Sequence, residues 1–273
     1  MRVAVQGEKG SYHHIAAENY FGSDIELICC ESFAATFDAL ASGNADTALV
    51  AIENSTAGSV HPVYDLLLKH DFFITGEVYE PIHHCLVALP GTEMKHIERV
   101  YSHPMALPQC ADFLDENLPH AERIEFSDTA ASAKHIKQTK DKHAAAIASS
   151  LAAKLENLQI LRSNVEDYQH NVTRFLALSP SHDVAAAANK SSFVLEAPHK
   201  PGALVSALSV LADADINLTK LESRPLPSEP WRYQFLIDVE AAGSNLHKSA
   251  GRLKALGCNV RILGEYKSAG GTI

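Results

Sequence analysis

Thr47-Ala48-Leu49-Val50-Ala51-Ile52 reads as a buried strand, and the polar turn Glu53-Asn54-Ser55-Thr56-Ala57-Gly58-Ser59 follows it at once. A short run of apolar residues at successive positions, rather than alternate ones, is what a strand covered on both faces looks like. The residues before it repeat the unit. Arg2 to Gln6 reads as a strand ending at Gly7, Gly7-Glu8-Lys9-Gly10-Ser11 as a turn, and His14 to Phe21 as a helix. Ile25 to Cys30 reads as a second strand. Ser32 is placed to cap a helix with Phe33, Phe37 and Leu40 on one face, and Gly43-Asn44 stops it. The alternation predicts an α/β fold, a mostly parallel sheet with helices on both sides.

Downstream, Val63 to Leu68 is helical in pattern, and Phe72 to Tyr79 and His83 to Leu89 are strand candidates. From about residue 80 the alternation begins again. Val100 to Ser102, Glu122 to Phe126 and Ala144 to Ile147 read as strands, with helices over Leu107 to Leu114, Thr129 to Gln138 and Ser149 to Leu155. Leu158 to Leu161 is weakly strand-like, and Thr173 to Leu178 carries a clear apolar run. Two similar α/β lobes around a cleft are expected.

Ser179-Pro180-Ser181-His182-Asp183 and the alanines 185 to 188 look like a linker. Strands are then expected at Ser192 to Ala197, Ile216 to Ser223, Tyr233 to Glu240 and Val260 to Glu265. Helices are expected after Pro201-Gly202-Ala203-Leu204 and over Leu246 to Leu256. This β-α-β-β-α-β order is the ferredoxin-like α+β arrangement.

Twenty-three Lys and Arg against 33 Asp and Glu give a formal net charge of -10, which disfavours nucleic acid and anionic membrane as partners. No apolar segment approaches the roughly 20 residues that span a bilayer. The N-terminus enters a strand without a basic stretch or cleavage site, so a cytoplasmic protein is expected. Five scattered cysteines fit a reduced compartment and lack a zinc spacing.

Residue types alone leave the chemistry open. Thr173, directly before the Arg174 to Leu178 run, is either an ordinary residue at a loop-to-strand transition or a group facing a cleft. Glu53 to Ser59, at the end of a parallel strand, is either a capped turn or a loop that binds a small anionic ligand. Asp128-Thr129 caps a helix, and the Thr129 hydroxyl could equally satisfy a free amide or a ligand. Gly7 to Ser11 lacks the full pattern of either nucleotide-binding glycine loop. His83 and His84, on adjacent strand positions, should point to opposite faces, and a structural or surface role is expected for both.

Together these stretches resemble the prephenate dehydratase family, with the closely related arogenate dehydratases, from Val3 to about Glu265. The N-terminal motif stands as Gly7-Glu8-Lys9-Gly10-Ser11-Tyr12, with Glu8 and His13 departing from the usual form. Ile52-Glu53-Asn54-Ser55, with Gly58-Ser59-Val60, matches the central motif. Ser102-His103-Pro104-Met105-Ala106-Leu107-Pro108-Gln109-Cys110 matches another, with Met105 in place of the usual Gln. Asn171-Val172-Thr173-Arg174-Phe175 matches the signature around the family's catalytic Thr.

The resemblance implies a two-lobed, periplasmic-binding-protein-like catalytic domain over residues 1–180, its second lobe at about 80–160. It implies an ACT regulatory domain over 191–267. It assigns catalysis to Thr173 and substrate binding to Ser11, Asn54, Ser55, Thr129, Arg174 and Phe175. Effector binding of L-phenylalanine falls to Gly202, Ala203, Leu204, Glu222, Ser223, Arg224 and Pro225. The activity implied is a carbon–oxygen lyase converting prephenate to phenylpyruvate, CO2 and water in phenylalanine biosynthesis, by a homodimer or homotetramer, with neither metal nor organic cofactor. Arogenate as the substrate, or a non-catalytic small-molecule sensor, are the alternatives.

Overall fold

The computed structural model describes residues 1–182, 184–226 and 228–270. Asp183, the last residue of the expected linker's first half, lies outside the described residues. The chain divides into two compact units. Of the described residues, one unit comprises 1–63 and 78–175, and the other comprises 64–77 and those from 176 to 270.

In the first unit the elements follow the α/β alternation. They are β1 (Arg2–Gln6), α1 (Tyr12–Phe21), β2 (Glu26–Cys30), α2 (Phe33–Ala41), β3 (Thr47–Asn54) and β4 (Gly58–Ser59). Next come α3 (His61–Lys69) and β5 (Phe73–Pro81), within which the chain passes to the second unit and back. Then follow β6 (Cys85–Ala88), β7 (Arg99–Ser102), α4 (Ala111–Asn117), β8 (Glu122–Glu125), α5 (Thr129–Thr139), β9 (Ala144–Ala148), α6 (Ser150–Leu155), β10 (Gln159–Ser163) and β11 (Val172–Ser179), whose residues from Leu176 belong to the second unit.

The helix starts are chemically specified. Ser11, Ser32, Asp128 and Ser149 are extended in backbone, and each accepts a hydrogen bond from a first-turn amide of α1, α2, α5 or α6. Such a cap contributes about 1 kcal/mol and fixes where the preceding strand stops. One sheet has the order β2-β1-β3-β11-β5, with β4 on β3, and β1 is parallel to both of its neighbours. Ala48, Leu49 and Val50 have no solvent exposure, as a strand covered on both faces requires.

The second sheet, β10-β6-β9-β7-β8, differs from the expected parallel repeat. β7 runs parallel to β8 and β9, whereas β6 is antiparallel to both β9 and β10. β6 is also shorter than the apolar run predicts, because His83 and His84 precede it instead of lying within it. The backbone N–H of His84 donates to Glu166 Oε2 (2.8 Å) instead of to a strand neighbour. The helix expected at Leu107 divides into a 3-10 turn, Pro108–Cys110, and α4, since Cys110 is not helical in backbone.

The second unit contains β12 (Lys190–Glu196), α7 (Ala203–Ala212), β13 (Leu218–Pro225), β14 (Tyr233–Val239), α8 (Gly243–Ala255) and β15 (Asn259–Tyr266). Its sheet has the order β13-β14-β12-β15 and is antiparallel throughout, the ferredoxin-like arrangement. Phe193, Leu195, Ile237 and Val239 pack with Ala207, Leu211, Leu246 and Leu253 to form its core.

Residues 64–77 are built into this unit. Arg261 donates to the carbonyls of Leu67, Leu68 and His70 and pairs with Asp71. Lys190 Nζ reaches both carboxylate oxygens of Glu77 (2.8 and 3.0 Å) in a buried pair. Gly264 passes so close that a Cβ there would lie 2.0 Å from the Ile74 carbonyl oxygen, so only glycine fits. Among the described residues, no helix is long and apolar enough to cross a membrane.

Candidate active site

A cavity of about 650 Å³ lies within the first unit, with Ser11, Asn54, Thr129, Thr173 and Phe175 in its lining. The sequence places these residues far apart, and the fold brings them together. Ser11 and Thr129 stand at the starts of α1 and α5, Asn54 ends β3, and Thr173 and Phe175 share one face of β11. Thr173 lies inside the strand, not before it. β11 begins at Val172, whose carbonyl accepts from Ser55 N (2.9 Å) and whose N–H donates to Ser55 Oγ (2.9 Å).

Ser55 and Arg174 are placed otherwise. Ser55 Oγ also donates to the His170 carbonyl (2.8 Å), so it clasps the start of β11 and does not line the cavity. Arg174 is buried, alternates with Thr173 along β11 and is likewise absent from the lining.

The hydrogen bonds around Thr173 have a polarity that can be worked out from one end. Thr56 N and Ala57 N donate to Asn54 Oδ1 at 3.0 and 2.8 Å. A backbone N–H can only donate, so the other atom of the Asn54 amide is its nitrogen. That Nδ2 donates to Asn171 Oδ1 (2.7 Å) and Thr173 Oγ1 (2.9 Å). Asn171 therefore turns its own Nδ2 to Gln109 Oε1 (2.7 Å). Gln109 Oε1 lies 3.1 Å from His84 Nε2, which must then carry a hydrogen. Beyond it, His84 Nδ1 lies 2.9 Å from the Tyr12 hydroxyl.

Two peptide N–H groups thus set the direction of every bond as far as His84. At Thr173 the consequence is chemical. Its oxygen accepts from Asn54, and among the described residues its own hydrogen is given to no acceptor. Ser11 Oγ likewise accepts from His14 N (3.3 Å), and its hydroxyl hydrogen is uncommitted. Thr129, although nearly buried, makes no side-chain hydrogen bond to a described residue. Three hydroxyl donors are therefore available to a ligand in the cavity.

His13 is held neutral by burial, which drives its pKa down to about 3, and its Nε2 accepts from Ala51 N (3.2 Å). Its ring meets Phe175 edge-on, with centroids 4.9 Å apart. Burial lowers the pKa of His84 and His103 and raises that of Asp128, the cap of α5. Gly7 leaves room for that cap, since a Cβ there would sit 2.7 Å from Asp128 Oδ2. Among the described residues, no group of three His, Cys, Asp or Glu side chains is arranged to hold a metal ion.

Tyr12, Gln109 and Asn171 fall inside the quoted motifs without having been singled out. His84 carried no signal, because its partners Tyr12 and Gln109 are 72 and 25 positions away.

Such a cavity, with oriented hydroxyl donors and a buried amide chain behind one of them, can donate to negatively charged oxygens of a small ligand. The family model described as prephenate dehydratase matches residues 3–183, and the chain belongs to that family of dehydratases. It is 38% identical to arogenate dehydratase 2 of Petunia hybrida, over 99% of this chain and 73% of that protein. It is 35% identical to the bifunctional chorismate mutase/prephenate dehydratase of Escherichia coli, over 98% of this chain and 71% of that protein.

Among solved structures, prephenate dehydratase from Arthrobacter aurescens in complex with L-Phe superimposes with a TM-score of 0.89 at 30% identity, covering 98% of this chain and 90% of that one. GqqA, described as a novel type of quorum quenching acylase, also gives 0.89, at 33% identity, covering 98% of each chain.

Proposed function

We propose that this chain catalyses the decarboxylating dehydration of prephenate to phenylpyruvate, CO2 and water. The observation that carries the reading is the Thr173 hydroxyl, filled on its acceptor side by Asn54 and left with a free hydrogen in the cavity. As the ring carboxylate leaves as CO2, its bonding electrons pass through the ring and expel the ring hydroxyl, and aromatisation drives the step. Threonine is too weak an acid to protonate that oxygen in advance. A fixed O–H whose bond strengthens as negative charge builds on the leaving oxygen stabilises the transition state more than the substrate.

Ser11 and Thr129 supply further donors for carboxylates. Wherever the cavity excludes water from the carboxylate to be lost, its charge is destabilised and decarboxylation favoured. An acylase would need a base within reach of its nucleophile. Among the described residues, the partner of Thr173 Oγ1 is an amide donor, which supports leaving-group assistance instead.

Regulation by L-phenylalanine belongs to the same proposal, supported by the L-Phe complex of the Arthrobacter relative. The second unit would serve as an ACT domain, in a dimer or tetramer, with Gly202-Ala203-Leu204 and Glu222-Ser223-Arg224-Pro225 as effector residues. Gly202 holds a left-handed backbone (φ 79°) at the start of α7, and Arg224 makes a bidentate pair with Asp65.

The test is phenylpyruvate formation by the purified chain, with prephenate and arogenate compared by kcat/KM. Thr173→Ala should lower kcat by about 10²-fold or more, the scale of a positioned donor, and L-phenylalanine should inhibit the parent. Near-parental turnover by Thr173→Ala would remove Thr173 from the reaction. A strong preference for arogenate would change the substrate and leave the chemistry.

A further inference from the structure

Prephenate carries two carboxylates, yet among the described residues lining the cavity there is no lysine and no arginine. A dianion held there by neutral donors alone would lose much of its hydration without gaining a counter-charge. The nitrogen bases in the lining are His13, His61, His84 and His103.

Two of them, His13 and His103, are already committed as acceptors. His13 is buried, with its Nε2 accepting from Ala51 N. His61, the first residue of α3, is not a member of the chain traced from Thr173 to His84. His103 Nδ1 accepts from Met105 N (3.1 Å), a bond that protonation there would break.

His84 is different. The chain of amides fixes a hydrogen on its Nε2, which leaves Nδ1 as the atom that can gain a proton. Nδ1 faces the Tyr12 hydroxyl at 2.9 Å, and that same hydroxyl lies 2.8 Å from the carbonyl of His83. One hydroxyl hydrogen therefore stands between two acceptors. When Nδ1 is bare, Tyr12 can donate to it. When Nδ1 carries a proton, Tyr12 can turn its hydrogen to the His83 carbonyl and accept from the imidazolium. No hydrogen bond is lost, and the Gln109-Asn171-Asn54-Thr173 chain keeps its direction in both states.

On this geometry and the proposed substrate, we propose that His84 takes up one proton from solvent when the dianion binds, and serves as the cation of the cavity. The charged and titratable groups around it act in both directions. Buried Glu166 accepts from the His84 backbone N–H and pairs with the neighbouring His83 (2.9 Å). Glu80, Cys85 and Cys110 lie around Tyr12. Burial lowers the pKa of His84, Gln109 and Glu166 favour its charged form, and the neighbouring His83 opposes it.

The inference rests on prephenate being the substrate, so turnover of prephenate by the parent is measured first. Binding of prephenate to the slow Thr173→Ala protein is then followed calorimetrically at neutral pH in buffers of different ionisation enthalpy. Net proton uptake is expected. It should vanish when His84→Gln is added, since glutamine can still donate to Gln109 but cannot titrate. In the otherwise native enzyme, His84→Gln should raise KM for prephenate about tenfold, the equivalent of one pKa unit of coupling, with kcat largely kept. The alkaline fall of kcat/KM should flatten.

Tyr12→Phe, which removes the oxygen that accepts a hydrogen bond from protonated Nδ1, should lower the uptake and serves as the second variant if His84→Gln does not fold. Unchanged uptake in both variants would overturn the proposal. So would a loss confined to kcat, with KM and the pH profile as in the parent. If the parent makes no phenylpyruvate, the functional reading falls and this inference with it.

Discussion

Asn54 Nδ2 lies 2.9 Å from Thr173 Oγ1, and the same side chain is held from behind by the backbone N–H groups of Thr56 and Ala57 on its Oδ1. Asn54 is thus a one-way connector between a turn and a hydroxyl.

Asn54→Asp tests that direction. The shape is nearly unchanged, and the turn amides keep an acceptor. The oxygen now facing Thr173 would accept the hydrogen meant for the substrate, and it would also meet Asn171 Oδ1. The expected result is a fall in kcat of at least about 10²-fold, comparable to losing a preorganised donor, with near-native circular dichroism. Parental kcat would show that the orientation of Thr173 does not matter.

His13 predicts an acid limb in stability. Its pKa is about 3 in the folded chain because of burial, against 6.5 when exposed. Above 6.5 both states are neutral and the group contributes nothing to pH dependence. Between 6.5 and 3 the unfolded chain binds a proton that the folded chain refuses, so stability falls as pH drops, by at most about 5 kcal/mol. His13→Gln, which can still accept from Ala51 N, should flatten this window in urea titrations at several pH values. An unaltered slope would mean that His13 is not buried neutral.

The Lys190–Glu77 pair should be costly to break and cheaper to remove. Lys190→Met leaves a buried carboxylate without its lysine, with Ser268 and the Ala269 N–H among its remaining neighbours, and should cost about 3–5 kcal/mol. Adding Glu77→Gln should recover a substantial part of the loss. The measurement is equilibrium unfolding of the two variants. A double variant no more stable than the single one would show that the charge of Glu77 is not the problem.

Much of this architecture is written locally. The caps at Ser32 and Asp128, the apolar run ending at Ile52 and the β-α-β-β-α-β order after residue 190 are each visible within a few neighbours. The antiparallel setting of β6 is not, because an apolar run four residues long has no direction of its own. The site divides the same way. Asn54 and Thr173 stand in recognisable motifs, whereas the place of His84 depends on partners supplied by α1 and by the turn at Pro108–Cys110. The lining of the cavity by Thr173 but not Arg174 follows from strand alternation, once Val172 rather than Arg174 is known to begin the strand.

Residues 64–77 carry a consequence for the order of events at the ribosome. Ile74 and Glu77 emerge early, but β12 and β15, which bring Lys190 and Gly264 to them, are made near the end. Until then the segment is an apolar stretch with a carboxylate awaiting its cation. A nascent chain stopped near residue 180, or a fragment cut there, would keep the residues around Thr173 and leave this stretch bare. Such a truncation should aggregate more readily than the whole chain, a liability of length rather than of catalysis.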